Sequence, residues 1–167
     1  METANALAAE IREYCAAHAD PKNATKWSRY FKEGYDAWGL LEKDHPLWIE
    51  KQPEWRERYR KIGLRGFLKL GELMFPSGKY EEGSLAIRFL KEMRDELDGK
   101  TLPLLGKWFE AGIANWAHTD VLCGEIISPL LESGAVSLKT IAPWRDSHFK
   151  FQRRAVPVAM LAWIPTV

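Results

Sequence analysis

Apolar residues along this chain recur at intervals of three and four, with polar residues filling the gaps, and nowhere alternate one for one between turn signals. The first pattern buries one stripe of an α-helix and the second would bury one face of a strand, so the chain is expected to be all-α. Leu7, Ile11, Tyr14 and Cys15 predict a helix over 4–18 that Asp20-Pro21 breaks. A second helix is expected from Pro21 to Lys32, carrying Trp27, Tyr30 and Phe31, with Gly34 as its C-terminal cap. Residues 35–52 should hold loops and one short helix, and 54–75 a helix broken near Gly63. Residues 79–97 bury Leu85, Ala86, Phe89, Leu90, Met93 and Leu97, and a shorter helix over 102–112 carries Leu105, Trp108 and Phe109.

The most informative stretch is Asn115–Leu131, NWAHTDVLCGEIISPLL. Cys123, Ile126, Ile127, Leu130 and Leu131 fall on one helical face, and Asn115 is placed to accept a bond from an orphan N–H of the first turn. Trp116 points almost along the apolar stripe, and Asp120 lies about 50° from its centre. An aromatic ring and a carboxylate one turn apart thus share the rim between core and solvent. A carboxylate there costs free energy unless it is capped, paired or used. On residues alone, Asp in an early helical turn and Trp on an apolar face are both ordinary packing features. His118 is expected on the exposed side, and Trp27, Trp38, Trp48, Trp55 and Trp108 are read as packing residues. A short helix near 137–142 and a last one over 147–163 complete the expectation.

Short helices of this kind, joined by short loops, suit a bundle or stacked antiparallel pairs forming an α-solenoid, and no sequence period separates the two. The last residues, FKFQRRAVPVAMLAWIPTV, stay apolar to the end, with Trp163 and Ile164 among them. A terminal repeat needs a polar outer face, so two readings stand open: a chain that continues, or a monomer able to self-associate through this end.

Composition changes the picture little: 46 % hydrophobic and 28 % charged residues describe an ordinary globular protein. No apolar run reaches the roughly 20 residues of a membrane span and the N-terminus has no signal-peptide core, so a cytoplasmic protein with no membrane partner is expected. Two cysteines, Cys15 and Cys123, and four histidines show no metal-ligand spacing, so neither a metal nor another cofactor is expected. Net charge is +1, but Lys139, Arg145, Lys150, Arg153 and Arg154 face Asp146 alone within 139–154. That local basic stripe is the one electrostatic hint of a polyanionic partner.

Four segments taken together resemble the AlkD-like DNA alkylation repair family of HEAT-like helical repeats. They are SRYFKEGY (28–35), the Leu- and Phe-rich helix after Lys79-Tyr80, NWAHTD (115–120) and WRDSHFKFQRRAV (144–156), in the family's order and covering roughly 5–162. The resemblance implies one domain over 1–167, C-terminally truncated relative to the family, with an α-α superhelical architecture. It implies a DNA glycosylase that hydrolyses the N-glycosidic bond of cationic alkylated purines, such as 3-methyladenine and 7-methylguanine, in double-stranded DNA. In that reading Asp120 is the catalytic carboxylate, and Trp116 lies against the backbone beside the lesion. Arg154 holds a phosphate and Tyr30 faces the DNA from the second helix. Arg153 competes with Arg154 if the match slips by one, and Arg153, Lys150, Arg145 and Lys139 add sequence-independent phosphate contacts.

Two departures accompany the resemblance. The family continues through further repeats that supply a second lesion-facing tryptophan, for which Trp163 comes too early. Ala117 stands where the family commonly has an acid, a change bearing on helix capping more than on chemistry. A non-catalytic binder of damaged or branched DNA and a protein-binding α-solenoid scaffold are the alternatives.

Overall fold

The computed structural model describes residues 2–161, so Trp163, Ile164 and the rest of the apolar end lie outside the described residues. The fold is all-α. The described elements are α1 (Ala4–Ala17), α2 (Pro21–Ser28), α3 (Gln52–Tyr59), α4 (Gly63–Met74), α5 (Tyr80–Lys91), α6 (Gly106–Ala111), α7 (Trp116–Leu122), α8 (Ser128–Glu132) and α9 (Lys150–Met160), with short 3₁₀ turns between several of them. An isolated parallel bridge between Asp36 and Lys79 is the only extended pairing among the described residues.

The core forms where the apolar stripes meet. Helix α4 packs on α1 and α5, and α7 packs on α5 and α9. Leu7, Ile11 and Cys15 of α1 meet Phe67, Leu70 and Met74 of α4 and Leu85, Phe89 and Leu90 of α5 within one contiguous cluster. Each such side chain, fully removed from water, contributes about 1.5–3 kcal/mol. Trp108 is buried and its indole N–H donates to the Leu68 carbonyl at 3.0 Å. Trp48 and Trp55 are buried as expected, whereas Trp27 and Trp38 are only half-buried.

Helix α2 is shorter than its periodicity suggests. It ends at Ser28, so Tyr30 and Phe31 lie in the turn beyond it. Its start is well specified: Asp20 accepts from the N–H groups of Lys22 and Asn23 at 3.0 and 3.1 Å, with Pro21 in the first turn. No residue of α2 is fully buried, so its position depends on what grips its ends. The grip comes from the segment 38–40. Asp20 N–H donates to the Trp38 carbonyl at 2.7 Å, and the Asn23 side chain donates to the Gly39 carbonyl at 2.6 Å. Gly39 has φ of 87°, and a Cβ there would stand 2.0 Å from the Asp20 carbonyl oxygen, so only glycine allows this approach.

That segment is in turn held by Glu81 of α5, a fully buried carboxylate. Its oxygens accept from the N–H groups of Trp38, Gly39 and Leu40, each at 2.8 Å. Buried charge is tolerated when its lone pairs are filled by fixed donors. Glu82 beside it is also buried and pairs with Arg12 at 3.0 Å.

The helix expected over 115–131 is interrupted. Between α7 and α8, Cys123–Ile127 is a π-helical turn, closed by the Ser128 N–H on the Cys123 carbonyl. The cause is Pro129, whose ring has no N–H for the Glu125 carbonyl and would collide with it in a regular helix. The wider turn relieves the clash, and Arg94 Nη1 takes the released Glu125 carbonyl at 3.2 Å. The same arrangement precedes Pro53, where Leu47–Lys51 is a π turn. Residues 79–97 are likewise helical only to Lys91, with a 3₁₀ turn at Arg94–Glu96.

Candidate functional site

Helix α7 begins where its sequence indicates. Asn115 is extended (φ −140°, ψ 157°) and its side-chain oxygen accepts from the His118 N–H at 2.8 Å. The same side chain's amide donates to His118 Nδ1 at 2.9 Å. His118 is not exposed, contrary to the sequence reading: it retains 4 % of its surface, stacked 4.5 Å from the Tyr80 ring. Its Nε2 lies 2.9 Å from the Tyr80 carbonyl and 3.2 Å from Ser84 Oγ. With Nδ1 accepting and Nε2–H donating, the ring is neutral. Gly83 makes room for it, since a Cβ there would meet His118 Cε1 at 2.6 Å. His118 therefore locks the helix that carries Trp116 and Asp120 to α5.

Burial pulls the His118 pKa down from 6.5 to about 4, the hydrogen bond to the Tyr80 carbonyl working in the opposite direction. The folded state thus resists protonation that the unfolded chain accepts. Stability is complete above pH 6.5 and declines as pH falls toward 4, by roughly 3 kcal/mol in all. His118→Gln, which cannot titrate, should be less stable than wild type at pH 7, and that deficit should shrink by about this amount by pH 4. Urea denaturation across the range measures it, and a deficit independent of pH would show that the ring's proton is not linked to folding.

Helix α9 reaches α7 because two donors of the intervening segment hold its carbonyls. Cys123 Sγ donates to the Ala155 carbonyl at 3.4 Å and Ser128 Oγ to the Ala159 carbonyl at 3.0 Å. The Cys123 thiol is buried, its pKa pushed up to about 12 chiefly by that burial, so it packs and does not react. Beside it, Arg154 Nε and Nη2 donate to the two Asp120 carboxylate oxygens, both at 2.8 Å. This planar fork needs Arg, and the bond to Asp120 raises the Arg154 pKa further. The side chains keep 42 % and 33 % of their surface. An ion pair so exposed stabilises the fold by about 0–1 kcal/mol. Its geometry matters more than its energy.

Trp116 keeps 40 % of its surface although its ring stacks on Phe31 at 5.6 Å and its N–H donates to the Tyr30 carbonyl at 3.2 Å. Tyr30, half exposed, stands next to it. Trp116 and Tyr30 together form a ridge between two clefts. One, of about 390 Å³, is lined by Tyr30, Lys32, Glu33, Trp116, Lys150 and Arg154 among others. The second, of about 290 Å³, is walled by Trp27, Tyr30, Phe31, Leu41, Tyr80 and Trp116, with Ala117 alongside.

The basic stripe looks different in space. Lys150 reaches Glu33 at 2.6 Å, Arg145 pairs with Asp146 at 3.1 Å, and Arg154 holds Asp120. Arg153 turns to the Ser147 and His148 carbonyls at 2.7 and 3.0 Å, leaving Arg154 as the arginine at Asp120. Lys139 is exposed and has no ion-pair partner among the described residues. Two cations the sequence did not single out adjoin the ridge. Arg29 donates to the Tyr30 hydroxyl at 2.9 Å and lies over its ring, and Lys32 lines the first cleft. Neither has an ion-pair partner among the described residues. Their position on either side of Tyr30-Phe31 was the available signal.

A family model described as DNA alkylation repair enzyme matches residues 11–166. No curated protein and no solved structure matches the chain.

Proposed function

The chain belongs to the DNA alkylation repair enzyme family, and from that premise we propose that it is a DNA glycosylase releasing cationic alkylated purines. The observation that carries the proposal is the Asp120 carboxylate, held by the Arg154 fork one turn from the exposed Trp116. That combination supplies what the reaction lacks.

An N3- or N7-alkylated purine is already a cation, so it leaves without a general acid. The C1′–N bond breaks, its electron pair returns to the purine and neutralises it, and the deoxyribose acquires oxocarbenium character. A fixed carboxylate stabilises that developing charge and orients the water that attacks C1′, finally accepting its proton. The logic is that of a glycoside hydrolase with one carboxylate omitted. Trp116 presents a π face to the cationic lesion and sugar, an attraction of about 0.5–2 kcal/mol depending on desolvation. Arg154 connects binding to chemistry. In the free protein its fork is filled by Asp120; a backbone phosphate fits the same fork, and by taking it would free Asp120 to face the sugar.

Chromatography of purines freed from methylated duplex DNA tests the proposal. Wild-type protein should release 3-methyladenine, 7-methylguanine or both in a time- and protein-dependent manner. Binding of the same duplex with no release above background would overturn the glycosylase reading in favour of a non-catalytic DNA-binding relative.

A further inference from the structure

Helix α7 lies between α5 and α9 and packs on both. The chemistry above takes the Arg154 fork from α9 and no charged group from α5. Yet α5 brings the same kind of group to α7 from the other side. Arg88 and Val121 share a cleft of about 160 Å³ whose lining includes Lys43, Trp48, Tyr80 and Ser84. Val121 follows Asp120 directly along α7 and keeps 45 % of its surface, so this cleft opens within one residue of the carboxylate. Arg88 Cζ lies 4.6 Å from the centre of the Trp48 ring. That ring is fixed, its indole N–H donating to the Leu40 carbonyl at 2.6 Å. A planar guanidinium stacked on a fixed ring loses little further freedom when it takes an anion.

Arg88 is also open. It is exposed, and its guanidinium has neither an ion-pair nor a hydrogen-bond partner among the described residues. Its neighbours are engaged: Lys91, the other cation of α5, pairs with Glu125, and Arg56 pairs with Glu92 at 3.2 Å. Two forks thus flank α7, that of Arg154 filled by Asp120 and that of Arg88 empty. Each strand of a duplex carries a phosphate every ~3.4 Å along the axis, so DNA with one phosphate at Arg154 has others to offer on the α5 side. Resting on the reading that DNA lies along Trp116 and Arg154, we propose that Arg88 is a second phosphate-binding residue. With Lys43 beside it, it holds the duplex backbone on the side of α7 opposite Arg154. Contacts on both sides of α7 stop the backbone from pivoting about Arg154 and keep the sugar of a stacked lesion over Asp120. No base has to leave the duplex.

The test replaces single phosphates around an abasic tetrahydrofuran site, one per duplex, by neutral methylphosphonates. Each duplex is titrated with wild type, Arg88→Met and Arg154→Met. Neutralising a phosphate held by an arginine should lower wild-type affinity about tenfold. At least one such phosphate should cost Arg88→Met nothing further while still weakening Arg154→Met. Methionine keeps an apolar stem on Trp48, and each comparison is a ratio within one protein, so partial loss of folded material does not disturb it. If every phosphate that weakens wild type weakens Arg88→Met equally, Arg88 holds none of them and the inference falls, with purine release left standing. If the phosphate that Arg88→Met ignores is ignored by Arg154→Met as well, the two arginines share one contact and the second site falls too. Failure of wild type to bind the duplex would remove the reading on which the proposal rests.

Discussion

Asp120→Asn should lower purine release from methylated duplex DNA by about a hundredfold or more while leaving DNA affinity equal or higher. Asn matches Asp in shape and still offers one oxygen to the Arg154 fork, while its NH₂ faces the other guanidinium N–H, so the local backbone is kept, the fork is held by one bond in place of two and the negative charge is lost. Removing a single preorganised electrostatic stabiliser typically costs 10²–10³ in rate, and here the charge lost would oppose a forming oxocarbenium ion. Binding moves the other way, since a carboxylate among phosphates is repulsive and its loss frees Arg154. Fold stability should change by less than about 1 kcal/mol, because the pair is exposed. Single-turnover release at saturating protein, with a parallel binding titration, separates the two effects. A variant releasing purines at near wild-type rates would take Asp120 out of the chemistry.

The largest effect on stability should come from a residue without any part in catalysis. Glu81→Ala strips the acceptor from three main-chain N–H groups at Trp38, Gly39 and Leu40. Unsatisfied buried donors cost about 1–3 kcal/mol each, so a loss of roughly 4 kcal/mol or more is expected. Glu81→Gln should cost less: its carbonyl can replace Oε1, which serves both Gly39 and Leu40, while its NH₂ confronts the Trp38 N–H. Urea melts of the three proteins measure the order, and an alanine variant within 1 kcal/mol of wild type would contradict it. The damage should also reach the site. Segment 38–40 grips Asp20 and Asn23, these fix α2, and α2 carries Trp27 and leads into Tyr30.

The sequence made the helical class, the Asn115 cap and the shared rim of Trp116 and Asp120 legible, because each depends on spacing within a few residues. Alignment with family segments further placed Arg154 thirty-four residues beyond Asp120, and the fold brings those two together. What stayed hidden depends on partners distant in sequence. Tyr30 and Phe31 continue a helical period, yet the chain leaves the helix at Ser28, and the Tyr30 carbonyl accepts from the Trp116 indole. The π turn after Leu122 keeps the same apolar face buried, so periodicity does not register it; Pro129 alone betrays it. His118 looked solvent-facing because nothing local announces the Tyr80 carbonyl and the gap left by Gly83. Glu81 stands in the first turn of α5, where an acid is ordinary, and nothing in the sequence points to the loop that it holds.

The ion pairs on α9 and in the turn before it also bear on how affinity responds to salt. A phosphate that binds a free lysine displaces condensed counterions into solution, and each such contact steepens the decline of binding with ionic strength by about 0.9 in the logarithmic slope. Arg154, Lys150 and Arg145 already neutralise Asp120, Glu33 and Asp146. A phosphate arriving there exchanges one anion for another within the protein. The slope therefore counts cations such as Arg29 and Lys32, which have no carboxylate partner among the described residues, and is shallower than the number of lysines and arginines around the site implies.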